Sequence, residues 1–96
     1  MPFSGSRLVW WNEPIDVKIR FSSKVARYIK ERRWSKEQCI SDEPDDSIIL
    51  ELKTSGWMDV KKWILSFGAE AELLEPEELR EEMAEASIKL AAMYRS

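Results

Sequence analysis

Apolar and polar residues alternate strictly in IDVKIRF, residues 15–21. Ile15, Val17, Ile19 and Phe21 fall on one side and Asp16, Lys18 and Arg20 on the other, the period of a half-buried strand. The period then lengthens. Ser22 or Ser23 offers an N-cap, and Val25, Ala26 and Ile29 make the inner stripe of a helix predicted to run to about Arg33. Arg27, Lys30 and Glu31 form its outer face. A weaker strand is predicted over 36–42, around Cys39 and Ile40. The cluster DEPDD, 42–46, reads as a turn. Residues 47–55 are β-rich, with Ile48, Leu50 and Leu52 inward, so the two strands make a hairpin. Ser55-Gly56 breaks the chain. Trp57, Val60, Ile64 and Phe67 follow at spacings of three, four and three, one face of a helix. Gly68 suits the left-handed C′ position that ends it. Residues 69–75 alternate as a last strand. Pro76 fits the N1 position of a further helix, and Glu77 and Glu78 suit the positive end of its dipole. Leu79, Met83, Ala86, Leu90 and Met93 give that helix a long inner stripe.

The order is β-α-β-β-α-β plus one helix. Right-handed crossovers make this an α+β, ferredoxin-like βαββαβ sandwich with an extra C-terminal helix. The expected strand order is 4-1-3-2, with both crossover helices on one sheet face. Residues 15–96 form that domain. Residues 1–14 read as a leader or the remnant of an interdomain linker, punctuated by Pro2, Gly5 and Pro14. They carry Phe3, Leu8, Val9, Trp10 and Trp11, too apolar a set for a solvated tail.

Length and composition change this picture little. The chain has 96 residues, enough for one domain with its own core. No apolar run approaches the ~18 residues that span a bilayer, so no membrane partner is expected. The start of the chain lacks the pattern of a signal peptide. Cys39 is the single cysteine, which fits a reducing, cytoplasmic setting.

Charge changes it more. The net charge of −3 hides two opposite fields. From Lys18 to Lys36 there are eight basic residues and one acid, Glu31. From Glu70 to Glu85 Arg80 is the only base. Catalysis has no support: the sequence contains no histidine, and Cys39 has no imidazole to activate it. A lone cysteine on a strand is expected to be a small buried hydrophobe. A phosphate-cradling loop after the first strand needs glycine, and Phe21-Ser22-Ser23-Lys24 has none. DEPDD lacks the glycine and ligand spacing of a calcium loop. No catalytic residue, metal ligand or cofactor is expected.

At this point a family likeness enters. VKIRFSSKVARYIKERRW, the hairpin, WMDVKKWILSFGAEAELLEPEELREEM and the terminal AAMY resemble the C-terminal extension, or WCX domain, of WYL-domain bacterial transcriptional regulators. The resemblance covers residues 15–94, and the order and spacing of its parts carry it. It implies a three-part regulator: a helix-turn-helix, a WYL domain that senses a ligand or nucleic acid, and this extension. The Trp-Tyr-Leu signature and the helix-turn-helix are absent from this sequence. The implied role is to take part in dimer assembly and to help set DNA-binding activity. The implied partners are the preceding WYL and helix-turn-helix domains, a second subunit, and DNA through the full-length protein.

Three surfaces are candidates for that work. Lys18, Arg20, Arg27, Lys30, Arg32 and Arg33 could contact phosphates of single-stranded nucleic acid without reading sequence. Base stacking on the sheet is not expected, because its exposed positions, Asp16, Lys18, Arg20, Ile49, Glu51 and Lys53, include no aromatic. The plainer alternative is a solvated surface paired with the acidic region. Trp10, Trp11 and Trp63 could rest on another domain or subunit; Trp63 sits about a third of a turn off its helix stripe, at the core edge. In the last helix, Ile88, Ala91, Ala92 and Tyr94 widen the apolar surface beyond one stripe, so a homodimer contact or domain swap is expected there. A small-molecule effector site is a rival role for the domain.

Overall fold

The computed structural model describes residues 14–95. Four strands and three helices follow one another as β1 (Ile15–Phe21), α1 (Ser23–Lys30), β2 (Cys39–Asp42), β3 (Ile48–Thr54), α2 (Trp57–Leu65), β4 (Ala71–Glu75) and α3 (Glu77–Arg95). A single 3₁₀ turn, Gly68–Glu70, leads into β4. The sheet is antiparallel throughout, in the order β2-β3-β1-β4, which is the expected 4-1-3-2 order counted from the other edge. The fold is the ferredoxin-like α+β sandwich with a C-terminal helix.

The register of the central pair makes the core. Val17 lies opposite Leu52, Ile19 opposite Leu50 and Phe21 opposite Ile48, and all six are buried. Ala26 and Ile29 of α1, and Trp57, Val60 and Ile64 of α2, cover this face. Leu73 and Leu79 close it. Each large side chain so buried contributes about 1.5–3 kcal/mol. Between Ile19 and Lys18 the β1–β4 register slips: Leu73 faces Ile19 but Glu75 faces Lys18, so Leu74 is the extra residue of a bulge.

The ends of the elements differ from expectation in small, explicable ways. Ser22 caps α1, its Oγ accepting from the Lys24 N–H at 3.2 Å. The helix stops at Lys30, short of the predicted Arg33. The Ile29 carbonyl is taken by the Arg32 N–H at 3.3 Å and by the Trp34 ring N–H at 3.1 Å. Gln38 then holds the exit loop: its Oε1 accepts from the N–H groups of Trp34 at 2.6 Å and Ser35 at 3.1 Å. The strand predicted from residue 36 therefore begins only at Cys39. Gly68 has φ +61°, as the left-handed prediction requires, but it follows the C-cap Ser66 by two residues and opens the 3₁₀ turn. Pro76 is the N-cap of α3 and not N1, because its carbonyl already accepts from the Arg80 N–H at 3.0 Å. The hairpin turn is as predicted, with Asp46 at φ 71°, a conformation aspartate tolerates better than most residues. Cys39 is exposed, contrary to the expected buried position. β2 is an edge strand, and Cys39 pairs with Glu51, on the sheet face opposite the core.

α3 runs antiparallel along the outer edge of β4, where open strand carbonyls need cover. Arg80 Nη1 donates to the Leu73 carbonyl at 3.0 Å and to Glu72 at 3.1 Å. Glu82 Oε2 accepts from Lys61 Nζ at 2.7 Å and from the Trp57 ring N–H at 3.3 Å, which ties α3 to α2. β4 has 5 residues and spans about 17 Å. α3 has 19 residues and spans about 28 Å. The helix overhangs the body, so Leu90 and Met93, placed by the sequence on the inner stripe, are exposed.

Candidate functional site

The structure divides the six predicted phosphate contacts. Lys18 and Arg20 project from β1 on the face away from the core. Arg27 and Lys30 belong to α1, which packs on the core face, and Arg32 and Arg33 follow it. The two groups therefore do not form one surface.

Carboxylates answer most of these charges. On the open face Lys18 lies 3.8 Å from Glu75, and Arg20 lies 3.2 Å from Glu43 and 4.0 Å from Glu72. Lys53 pairs with Asp16 at 3.2 Å. On the helical side Lys30 pairs with Asp42 and Lys24 with Glu70. These pairs are solvent-exposed, and each contributes at most about 1 kcal/mol to stability. Their effect on the surface potential is larger, since each cancels a unit of charge locally. Arg32 lays its guanidinium over the Tyr28 ring, 3.9 Å from the centroid. Among the described residues, Arg27, Arg33 and Lys36 have no carboxylate within ion-pair distance. With Arg32, whose partner is a ring and not a carboxylate, they are what the structure leaves of the basic field.

Trp63 is half-buried within a cluster of rings. Its centroid lies 4.6 Å from that of Trp34, 5.5 Å from Phe67 and 5.6 Å from Phe21. Tyr28 joins at 6.0 Å from Trp34 and 6.2 Å from Phe67. The cluster pins the exit loop of α1 to the end of α2, and such tilted and edge-on pairs each add about 0.5–1.5 kcal/mol beyond burial. Trp10 and Trp11 lie outside the described residues.

Ile88 and Tyr94 are in the overhang of α3, 69% and 84% exposed. Leu79, near the start of the same helix, is 3% exposed. One helix therefore has a docked half and a presented half. The sequence pattern contained the second apolar face. It did not contain the length of β4, which determines where docking ends.

Among the described residues no three carboxylate or thiol groups are placed to share a cation. In the acidic turn Asp45 instead accepts from the Ser47 Oγ at 2.6 Å and from its N–H at 3.1 Å, which holds the Asp45 carboxyl below its ordinary pKa. A cleft of about 520 Å³ lies between β4 and α3, bordered by Leu74, Glu75, Arg80 and Glu81. A second, of about 220 Å³, lies at the end of β1 beside Arg20, Ser22 and Glu70. Both are open and lined by charged groups, unlike the mostly apolar clefts that hold small effectors.

Comparison with known proteins gives one family. The family model described as the WCX domain matches residues 13–91. No curated protein matches the chain. Among the described residues, no helix is long and apolar enough to cross a membrane.

Proposed function

The chain belongs to the WCX domain family, and from that premise we propose that it is the regulatory and oligomerisation domain of a WYL-type helix-turn-helix transcriptional regulator. The family is a regulator-associated one and not a known family of enzymes. In this reading the preceding WYL and helix-turn-helix domains of the same chain are its intramolecular partners. A second subunit is its intermolecular partner. DNA is bound by the full-length protein, and a ligand sensed with the neighbouring domain biases how the subunits are arranged. The observation that supports it is the division of α3 into a docked half and a presented half. A presented helix on a rigid body can transmit position between subunits, because its docked end moves with its own domain.

The test uses the full-length regulator and its own promoter DNA. Replacing both Ile88 and Tyr94 with Asp leaves the domain folded, since both side chains are exposed. We expect the variant to lose its dimer and to bind promoter DNA at least ~10-fold more weakly, as expected for loss of interface anchors. Unchanged mass and unchanged DNA affinity would sink the proposal.

A further inference from the structure

α3 has two faces of different use. At about 100° per residue, Leu79, Met83 and Ala86 lie on the side turned to the body, and Leu79 and Met83 join the core. Glu81, Ala84, Ile88, Ala92 and Arg95 lie along another side; all five are exposed, and Glu81 and Ala84 also border the open cleft beside β4. Their spacings are three, four, four and three. The stripe therefore reads the same in both directions about Ile88, and its ends carry opposite charge.

We infer that this stripe is a seam for the same helix of a second copy, packed antiparallel about a two-fold axis at Ile88. The inference rests on the oligomerisation reading above and supplies its geometry. Reversal places Ile88 on Ile88, Ala84 on Ala92 and Glu81 on Arg95 of the second copy. A parallel pair sets acid against acid and base against base. The antiparallel pair sets Glu81 against Arg95 at both ends and also opposes the two helix dipoles. Small residues flanking the centre let the helices approach to about 8 Å, the close end of the usual range. A partner of different sequence has no reason to share this reversed order, whereas a second copy must. Two-fold symmetry makes each contact off the axis occur twice, so a small seam is extended. From Glu81 to Arg95 the seam is about 21 Å long, less than a standard interface needs. The dimer of this chain alone is therefore weak and concentration-dependent, and the rest of a regulator would strengthen it.

The experiment is sedimentation of the 96-residue chain over a wide concentration range, with variants. Ile88→Asp is expected to weaken association at least ~30-fold. Glu81→Arg or Arg95→Glu alone weakens it ~10-fold, and the two together restore it to within ~3-fold of the original. In a Cys39→Ser background, Ile88→Cys gives a covalent dimer with a short bis-maleimide, and Ser23→Cys does not. A dimer without 88–88 cross-linking and without charge-swap rescue overturns the antiparallel seam and leaves the oligomerisation reading standing. A chain that stays monomeric throughout, with a full-length regulator indifferent to Ile88→Asp, overturns both.

Discussion

Asp45 shows what a single exposed side chain can do in this fold. Its carboxylate accepts two hydrogen bonds from Ser47, the hydroxyl one being the larger influence on its pKa. Both bonds favour the charged form, so the folded chain holds a proton at Asp45 less readily than the unfolded chain does. The sign follows from linkage. The stabilisation is present above the ordinary aspartate pKa and fades as pH falls through the lowered value of Asp45. A carbon-detected NMR titration should place the Asp45 midpoint below the ordinary aspartate value. Ser47→Ala should raise that midpoint toward the ordinary value; an unmoved midpoint would show that the Ser47 hydroxyl is not the cause. The turn that positions the pair was legible as DEPDD. The bond was not, because it depends on Asp46 taking a left-handed conformation.

Among the elements, α3 is the one whose halves should respond differently to the same kind of change. Leu79 is buried against the core, so Leu79→Ala removes packing and leaves a cavity, at a cost of about 2–4 kcal/mol. Leu90 occupies the same stripe three turns on but is exposed, and Leu90→Ala should cost under ~0.5 kcal/mol in the dilute monomer. Urea unfolding at low concentration separates the two; equal losses would mean that the whole helix is docked. Glu82 explains why docking reaches that far. It joins Lys61 and the Trp57 ring of α2 from within the acidic stretch Glu70 to Glu85. α1 has a comparable hidden determinant in Gln38, whose amide oxygen organises the loop after the helix.

For the whole molecule, the distribution of paired and unpaired bases predicts where polyanions act. The open sheet face carries a ladder of ion pairs, while Arg27, Arg33 and Lys36 lie beyond the reach of described carboxylates. Short single-stranded DNA at low salt should shift the backbone amides of Arg27, Arg33 and Lys36 and spare those of Lys18 and Arg20. The shifts should collapse as salt rises, because counterion release drives such contacts. Shifts centred on Lys18 and Arg20 would instead show that the sheet ladder opens to phosphate.

The sequence alone determined the order of elements, the inner faces of β1, β3 and α2, and the doubled apolar surface of α3. These follow from local periodicity and turn chemistry, which depend only on neighbours along the chain. The likeness to the WCX domain was legible for a similar reason, since it rests on motifs in order. Tertiary structure decided which charges are cancelled, because Arg20 meets Glu43 and Glu72 across strands. It decided that Cys39 is exposed, because the register sets it opposite Glu51 on the sheet face away from the core. It also decided where α3 stops being core, because the helix is longer than the strand it covers. Pairing across a sheet and the relative lengths of packed elements are properties of the assembled chain, and no local pattern encodes them.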